Sequence, residues 1–344
     1  MQILNEKIRR TTLKLTKEIP EAVVISPGKS AFLQTSSEMH GACLKCDNPS
    51  CINLNSEYIK CDQVKEFPED RDTRVCSTGA IDWDENLEVP VIDDSKCTHC
   101  GLCARQCPVG AIYYSNDKIN ICYEAEGYQE VPYNENNIHQ QNVLINEIRS
   151  KKRTGCFIVE SDQIMEDIYG RIQRSRLLPE KFLRNIMVGL GCNCATRRVG
   201  DVYIRMDAIY NASSGTFGVI EVEFGVDTLS ASRGILDDIA VLHSRYQIDK
   251  HSNTALVVCL SLPNLRQGYW QVIKDIAVIE NIRINTLTCG AMLILLWNQL
   301  DLDLGVADFY ADYDSPTIRM LLNNKLGRNV QITEKVLGIL EPFK

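Results

Sequence analysis

The stretch Cys97-Thr-His-Cys100-Gly-Leu-Cys103-Ala-Arg-Gln-Cys107-Pro108 constrains this 344-residue chain more than any other. Its cysteines stand two, two and three residues apart, and a proline follows the last. Thiolates are soft donors, suited to iron–sulfur chemistry and to zinc. Zinc sites come as two separated pairs. Three closely spaced thiolates instead wrap three corners of an iron–sulfur cube, and a fourth cysteine before proline ligates a different cluster when there are two. The spacing therefore predicts an iron–sulfur centre.

Upstream lie Cys43-Leu-Lys-Cys46, then Cys51, Cys61 and Cys76-Ser-Thr-Gly-Ala-Ile81. The second half reads Cys107-Pro-Val-Gly-Ala-Ile112. The two Cys-x-x-Gly-Ala-Ile segments are an internal repeat. Ser77 stands where the second copy has proline, and the gap from Cys46 to Cys51 is wider than the strict spacing. From Cys43 to Ile112 the chain resembles the two-cluster bacterial ferredoxins, with an insertion in the first copy. That resemblance implies an α+β ferredoxin-like domain with two 4Fe–4S clusters and crossed ligation. Cys97, Cys100 and Cys103 would hold one cluster with Cys76. Cys43, Cys46 and Cys51 would hold the other with Cys107, and Cys61 is an alternative to Cys51. Gly79, Gly101 and Gly110 would let backbone amides approach the sulfurs. Ala80, Ile81, Ala111 and Ile112 would cover the clusters.

Fifteen cysteines in a secreted chain would suggest disulfides. Here they cluster, and the N-terminus lacks the apolar core of a signal peptide, so a reducing cytoplasm is expected. No apolar run is long enough to span a bilayer. Hydrophobic content of 44% and charged content of 24% are those of a globular protein of two or three domains. The net charge of −8 is uneven. Residues 1–150 carry 15 basic and 23 acidic side chains, whereas 151–344 carry 22 of each. The acidic half favours a basic redox protein partner, and the balanced half leaves nucleic acid open.

The order along the chain reads as follows. Residues 1–40 form an N-terminal arm, with a helix over Ile8–Leu15 and short strands at Ala22–Ile25 and Ala31–Leu33. Residues 41–123 form the cysteine-rich domain. Residues 124–155 are a polar linker. Residues 156–300 form a second domain, and 301–344 a C-terminal helical tail with pieces at Thr317–Asn323 and Glu334–Leu340. In the second domain Phe157–Val159 reads as a strand. A helical pattern over Met165–Val188 breaks near Pro179. A strand over Asp201–Tyr210, a turn at Ala212–Gly215 and a returning strand Phe217–Phe224 form a hairpin. A helix Gly234–Tyr246, a buried strand Ala255–Leu262, a helix Tyr269–Ile279 and a strand Met292–Trp297 follow. The result is an α/β mixed sheet flanked by helices.

Asp207 lies on the first arm of the hairpin, and Glu221 and Glu223 share one face of the second. If the arms pair around residues 212–215, Asp207 comes near Glu221. Carboxylates so close repel unless a hard cation sits between them, and Mg²⁺ or Mn²⁺ suits a few carboxylates plus water. This order and spacing resemble the PD-(D/E)xK superfamily of restriction-endonuclease-like folds. The resemblance implies that Asp207 and Glu221 bind metal and that Glu223 stands in the place of the usual lysine. It also implies a supporting glutamate on the first helix, Glu166 first and Glu180 second. The implied role is phosphodiester hydrolysis, or nucleic-acid binding by an inactive nuclease-like fold, on DNA ahead of RNA. Arg171, Arg174, Arg176, Lys181, Arg184, Arg197 and Arg198 are candidate backbone contacts. The rival expectation is an electron-transfer ferredoxin whose second domain docks a redox partner.

Overall fold

The computed structural model describes residues 30–34, 43, 45–46, 49–107, 110–123, 128–132, 158–201, 204–225, 227–302, 317–333 and 337–343. The expected helix Ile8–Leu15 and strand Ala22–Ile25 lie outside them. Strand β1 (Ser30–Gln34) is described, and it covers the expected strand Ala31–Leu33.

The cysteine-rich part is built on the internal repeat. Each copy of Cys-x-x-Gly-Ala-Ile runs straight into a hairpin, β2 (Ile81–Asp84) with β3 (Val89–Ile92), and β4 (Ile112–Ser115) with β5 (Lys118–Ile121). Helix α1 (Leu102–Gln106) lies between them. Gly79 and Gly110 have φ of +67° and +68°, a left-handed conformation that favours glycine. Each closes a tight turn by donating its amide to the preceding cysteine carbonyl, at 3.2 Å for Cys76 and 3.4 Å for Cys107. Strand β6 (Tyr128–Pro132) then pairs antiparallel with β1. It falls in the stretch expected to be a linker. A polar sequence can still satisfy its backbone groups in a ladder, and hydrophobic period does not report that.

The second half opens with α2 (Asp162–Arg174) and α3 (Pro179–Gly189). Ser161 caps α2 by accepting from the Ile164 amide, and Pro179 starts α3 at a position where no amide is needed. The break near Pro179 is where the sequence puts it. Then come β7 (Asn193–Thr196), β8 (Ala208–Asn211), β9 (Phe217–Glu223), α4 (Thr228–Tyr246), β10 (Asn253–Cys259), α5 (Tyr269–Glu280), β11 (Ile284–Thr288), α6 (Cys289–Trp297) and α7 (Ile318–Leu326). The sheet order is β11-β10-β9-β8-β7. Strands β7, β8 and β9 form an antiparallel meander, while β9, β10 and β11 run parallel through crossover helices.

Four expectations are corrected. The first hairpin arm shrinks to Ala208–Asn211, because Ile204 and Met206 are buried without joining a ladder. The run Met292–Trp297 is helix, and the strand is Ile284–Thr288 just before it. A uniformly apolar run has no period to tell the two apart. The Thr288 side chain decides, accepting from the Ala291 amide and so capping α6. Ile158 and Val159 are not in a strand, and residues 337–340 are not helical.

The insertion between the first-half cysteines packs away from them. Leu54, Ile59, Cys61, Val64, Phe67 and Val75 join the same core as the five-stranded sheet. A buried aliphatic or phenyl side chain contributes about 1.5–3 kcal/mol, against about 0–1 kcal/mol for a surface ion pair. Apolar burial is therefore the main tie between the halves. Polar links add register. The Trp297 indole donates to the Cys100 carbonyl at 2.9 Å, and Arg105 Nε donates to the Gly189 carbonyl at 2.8 Å. No helix among the described residues is long and apolar enough to cross a membrane.

Candidate metal centres

Two groups of thiols form where the repeat folds back on itself. Burial pushes the Cys100 thiol up to about 12 and the Cys97 thiol up to about 11, with the Cys76 charge adding to both. Cys103 is raised well above the ordinary thiol range, by burial and then by Cys100, Cys97, Cys76 and Cys51. These charge effects put Cys76 near Cys97, Cys100 and Cys103, with Cys51 near Cys103 as well. Backbone amides point at the sulfurs, Ala80 at Cys76 Sγ (3.2 Å) and His99 at Cys97 Sγ (3.4 Å). Gly101, at φ +81°, turns the chain into α1.

Cys43, Cys46, Cys51 and Cys107 share a second, smaller core with Ile81, Ala104, Ala111, Ile112 and Ile119. The Ala111 amide donates to Cys107 Sγ at 3.2 Å, repeating the Ala80–Cys76 contact. Cys61 is elsewhere. Its thiol donates to the carbonyls of Asn193 (3.6 Å) and Ile209 (3.5 Å), inside the sheet core. The wider gap after Cys46 is absorbed locally, so Cys51 and not Cys61 keeps company with the other three.

The donor set fits an iron–sulfur cluster. Thiols whose proton affinity is raised by burial, as those of Cys97, Cys100 and Cys103 are, become thiolates only when strong cationic charge binds among them. Among the described residues, no group of three or more His, Cys, Asp or Glu could hold a single metal ion. His99 fixes the loop to the second half. It is fully buried, with Nε2 2.8 Å from Asp94 Oδ1 and Nδ1 3.0 Å from Asp167 Oδ2 on α2. Arg171, also on α2, donates to the Cys97 carbonyl at 3.0 Å.

The carboxylates gather at one end of the β8–β9 pair, inside the sheet. Ala208 pairs with Ile220, so one more step of that register sets Asp207 opposite Glu221. Asp207 Oδ2 accepts from the Val222 amide at 3.0 Å, and Arg197 stands 3.7 Å from Oδ1. Glu223 accepts from the Gly225 amide at 2.7 Å, and its charge bears on Asp207. A fourth acid, Asp238 on α4, is hydrogen-bonded to Glu221 and only 2% exposed, and its Oδ2 has no partner among the described residues. Gly234 lies one turn earlier, and a Cβ there would sit 2.9 Å from Glu221 Oε1. Glycine thus lets the carboxylate approach the helix.

Burial raises all three inner acids first; charge adds to it, from Glu180 and Glu223 on Asp207 and from Asp207 on Glu221 and Asp238. Asp207 is pushed up to about 6, Asp238 to about 7 and Glu221 to about 9. The folded chain therefore holds more protons than the unfolded one between the ordinary carboxylate range and pH of about 9. Metal-free protein should lose stability as pH rises through that window, because these acids must ionise in place. Urea unfolding midpoints between pH 5 and pH 9 check this, and Asp238→Asn should flatten the slope. A midpoint that rises across the window would remove the assigned proton sharing.

Other expected residues scatter. Glu166 is exposed on α2 and is not among the main charges acting on Asp207, Glu221 or Asp238. Glu180, on the first turn of α3, is the helical glutamate whose charge raises Asp207. The basic stripe divides. Arg184 is fully buried, Lys181 pairs with Asp70 and Asp72, and Arg197 answers Asp207. Asp238 escaped the sequence reading. Its signal is a lone carboxylate among Ile235, Ile239 and Leu242 on the buried face of α4.

The 4Fe–4S binding domain family model matches residues 90–113. The chain is also 27% identical over 123 residues to an uncharacterized ferredoxin of Methanocaldococcus jannaschii, covering 31% of this chain and 68% of the relative. No solved structure matches. The family model falls on the Cys97–Cys107 run, and with the ferredoxin likeness it makes the chain a 4Fe–4S cluster-binding protein with a ferredoxin-type iron–sulfur domain.

Proposed function

We propose that the protein holds two 4Fe–4S clusters and uses its second domain as a cation-dependent nuclease. Cys76, Cys97, Cys100 and Cys103 hold one cluster, and Cys43, Cys46, Cys51 and Cys107 the other. The convergence of Asp207, Glu221 and Asp238 at the end of the β8–β9 pair carries the nuclease reading. The meander followed by a parallel crossover supports it too, as it is the order the restriction-endonuclease resemblance implies. Asp207 and Glu221 would hold Mg²⁺ or Mn²⁺, with the remaining positions left to water and phosphate oxygens. The bound cation supplies charge to a scissile phosphate and an acidified water. Glu223, in the lysine place, orients that water. Glu221 keeps a proton against Asp238 when no cation is bound, and gives it up to water when the acids ionise around the cation.

Cleavage of DNA and RNA by anaerobically purified protein tests the reading. Wild type with Mg²⁺ or Mn²⁺ should cut, and Asp207→Ala should lower the rate by about 100-fold or more. Cutting unaffected by that change removes the catalytic assignment. A second reading, electron transfer, is favoured by one observation. Cys76, Cys97, Cys100 and Cys103 are partly exposed, while the other four are buried. A partner could therefore reach the first cluster.

A further inference from the structure

Beside Cys97 lies a cavity of about 390 Å³, walled by Lys96, Arg171, Arg174 and Arg176 with serine and threonine hydroxyls between them. Its two sides come from different halves. The turn after Cys76 and the Lys96–Cys97 segment form one, and the C-terminal end of α2 and the residues after it form the other. The volume lies within the range of small-molecule sites, about 300–1,000 Å³. No carboxylate is part of the wall.

The charges are not equivalent. Lys96 is answered by Asp93 at 2.9 Å, and Arg171 by Asp167 at 2.9 Å. Arg174 and Arg176 have no ion-pair partner among the described residues. Two unanswered guanidinium groups therefore face a cavity lined with hydroxyls. Their planar donor forks match phosphate oxygens. A phosphate monoester carries about −1.5 to −2 at pH 7, which balances them. The cavity has room left for an organic body.

We propose that this cavity binds the phosphate group of a small phosphorylated molecule and holds it against the Cys76–Cys97 edge of the iron–sulfur centre. The proposal goes beyond the nuclease reading and uses none of its carboxylates. A dianion there opposes the addition of an electron to the neighbouring centre. Ligand binding and reduction are thereby opposed, and each weakens the other.

Calorimetric titration of anaerobically purified, iron-loaded protein with inorganic phosphate tests it. One site per chain is expected. Arg174→Ala and Arg176→Ala should each weaken binding about tenfold, and the double variant should abolish it. The midpoint potential should move negative with phosphate in wild type and stay fixed in the double variant, at unchanged iron content. No binding, or binding indifferent to both arginines, overturns the site. Binding without a change of potential overturns its placement against the centre. A DNA oligonucleotide is titrated in parallel. If it alone binds through the two arginines, the cavity is a nucleic-acid contact and the small-molecule proposal fails. Loss of DNA cleavage in Asp207→Ala leaves all these readouts untouched, so the two proposals fail separately.

Discussion

Cys103→Ala protein, purified without oxygen, should carry about half the iron of wild type, about four atoms in place of about eight. Burial raises the proton affinity of Cys103, and Cys100, Cys97, Cys76 and Cys51 add to it. Removing it opens one corner of the first group. The second group keeps all its members, Cys43, Cys46, Cys51 and Cys107, in a core against which Cys76, Cys97 and Cys103 also pack. Cys107→Ala should remove the other half, although it lies in the same unbroken run of sequence. Cys61→Ala should leave the iron content unchanged, because that thiol bonds to the Asn193 and Ile209 carbonyls in the sheet core. Iron and acid-labile sulfide assays decide. Undiminished iron in Cys103→Ala would show that this sulfur is no ligand. Loss of all iron would show that the two groups are one site.

Arg184→Met should lower unfolding stability by about 3–5 kcal/mol. Arg184 lies on α3 and is fully buried, with burial lowering its proton affinity. It donates to the carbonyls of Asp70 (3.4 Å) and Asp72 (2.6 Å) and to Asn185 Oδ1 (3.0 Å). Asn185 in turn donates to the Arg74 and Val75 carbonyls, both at 2.9 Å. Together they hold the inserted segment against the second half. Methionine fills much of the space but leaves buried carbonyls unanswered, and each costs about 1–3 kcal/mol. Lys181→Ala, which removes partly exposed ion pairs to the same segment, should cost about 1 kcal/mol or less. Equal losses in the two variants, read by urea unfolding, would put the junction's strength in surface charge instead.

The legible parts of this chain are those where chemistry is written in local spacing. The two Cys-x-x-Gly-Ala-Ile copies announced both the left-handed glycines and the amides that meet Cys76 and Cys107. The turn at 212–215 and the period of the returning strand brought Asp207 opposite Glu221, because register follows from the turn once its length is known. Element type failed where the signal was uniform. Met292–Trp297 is apolar at every position, and only the cap at Thr288 distinguishes helix from strand. Glu166 and Glu180 read alike as helical glutamates, and only packing chose Glu180 as the one near Asp207.

The sequence by itself determined the iron–sulfur domain, since thiolate spacing within a few residues limits which metal centre can form. Tertiary structure decided everything that depends on distance through space. It turned the inserted residues 54–75 into part of the sheet core, moved Cys61 away from the thiols, and buried Arg184 as a clamp. It also drew Asp238 to Glu221, and set Arg174 and Arg176 around a cavity beside Cys97. Burial and Coulomb interaction act between neighbours in space, and the chain order of residues so far apart does not record which of them become neighbours.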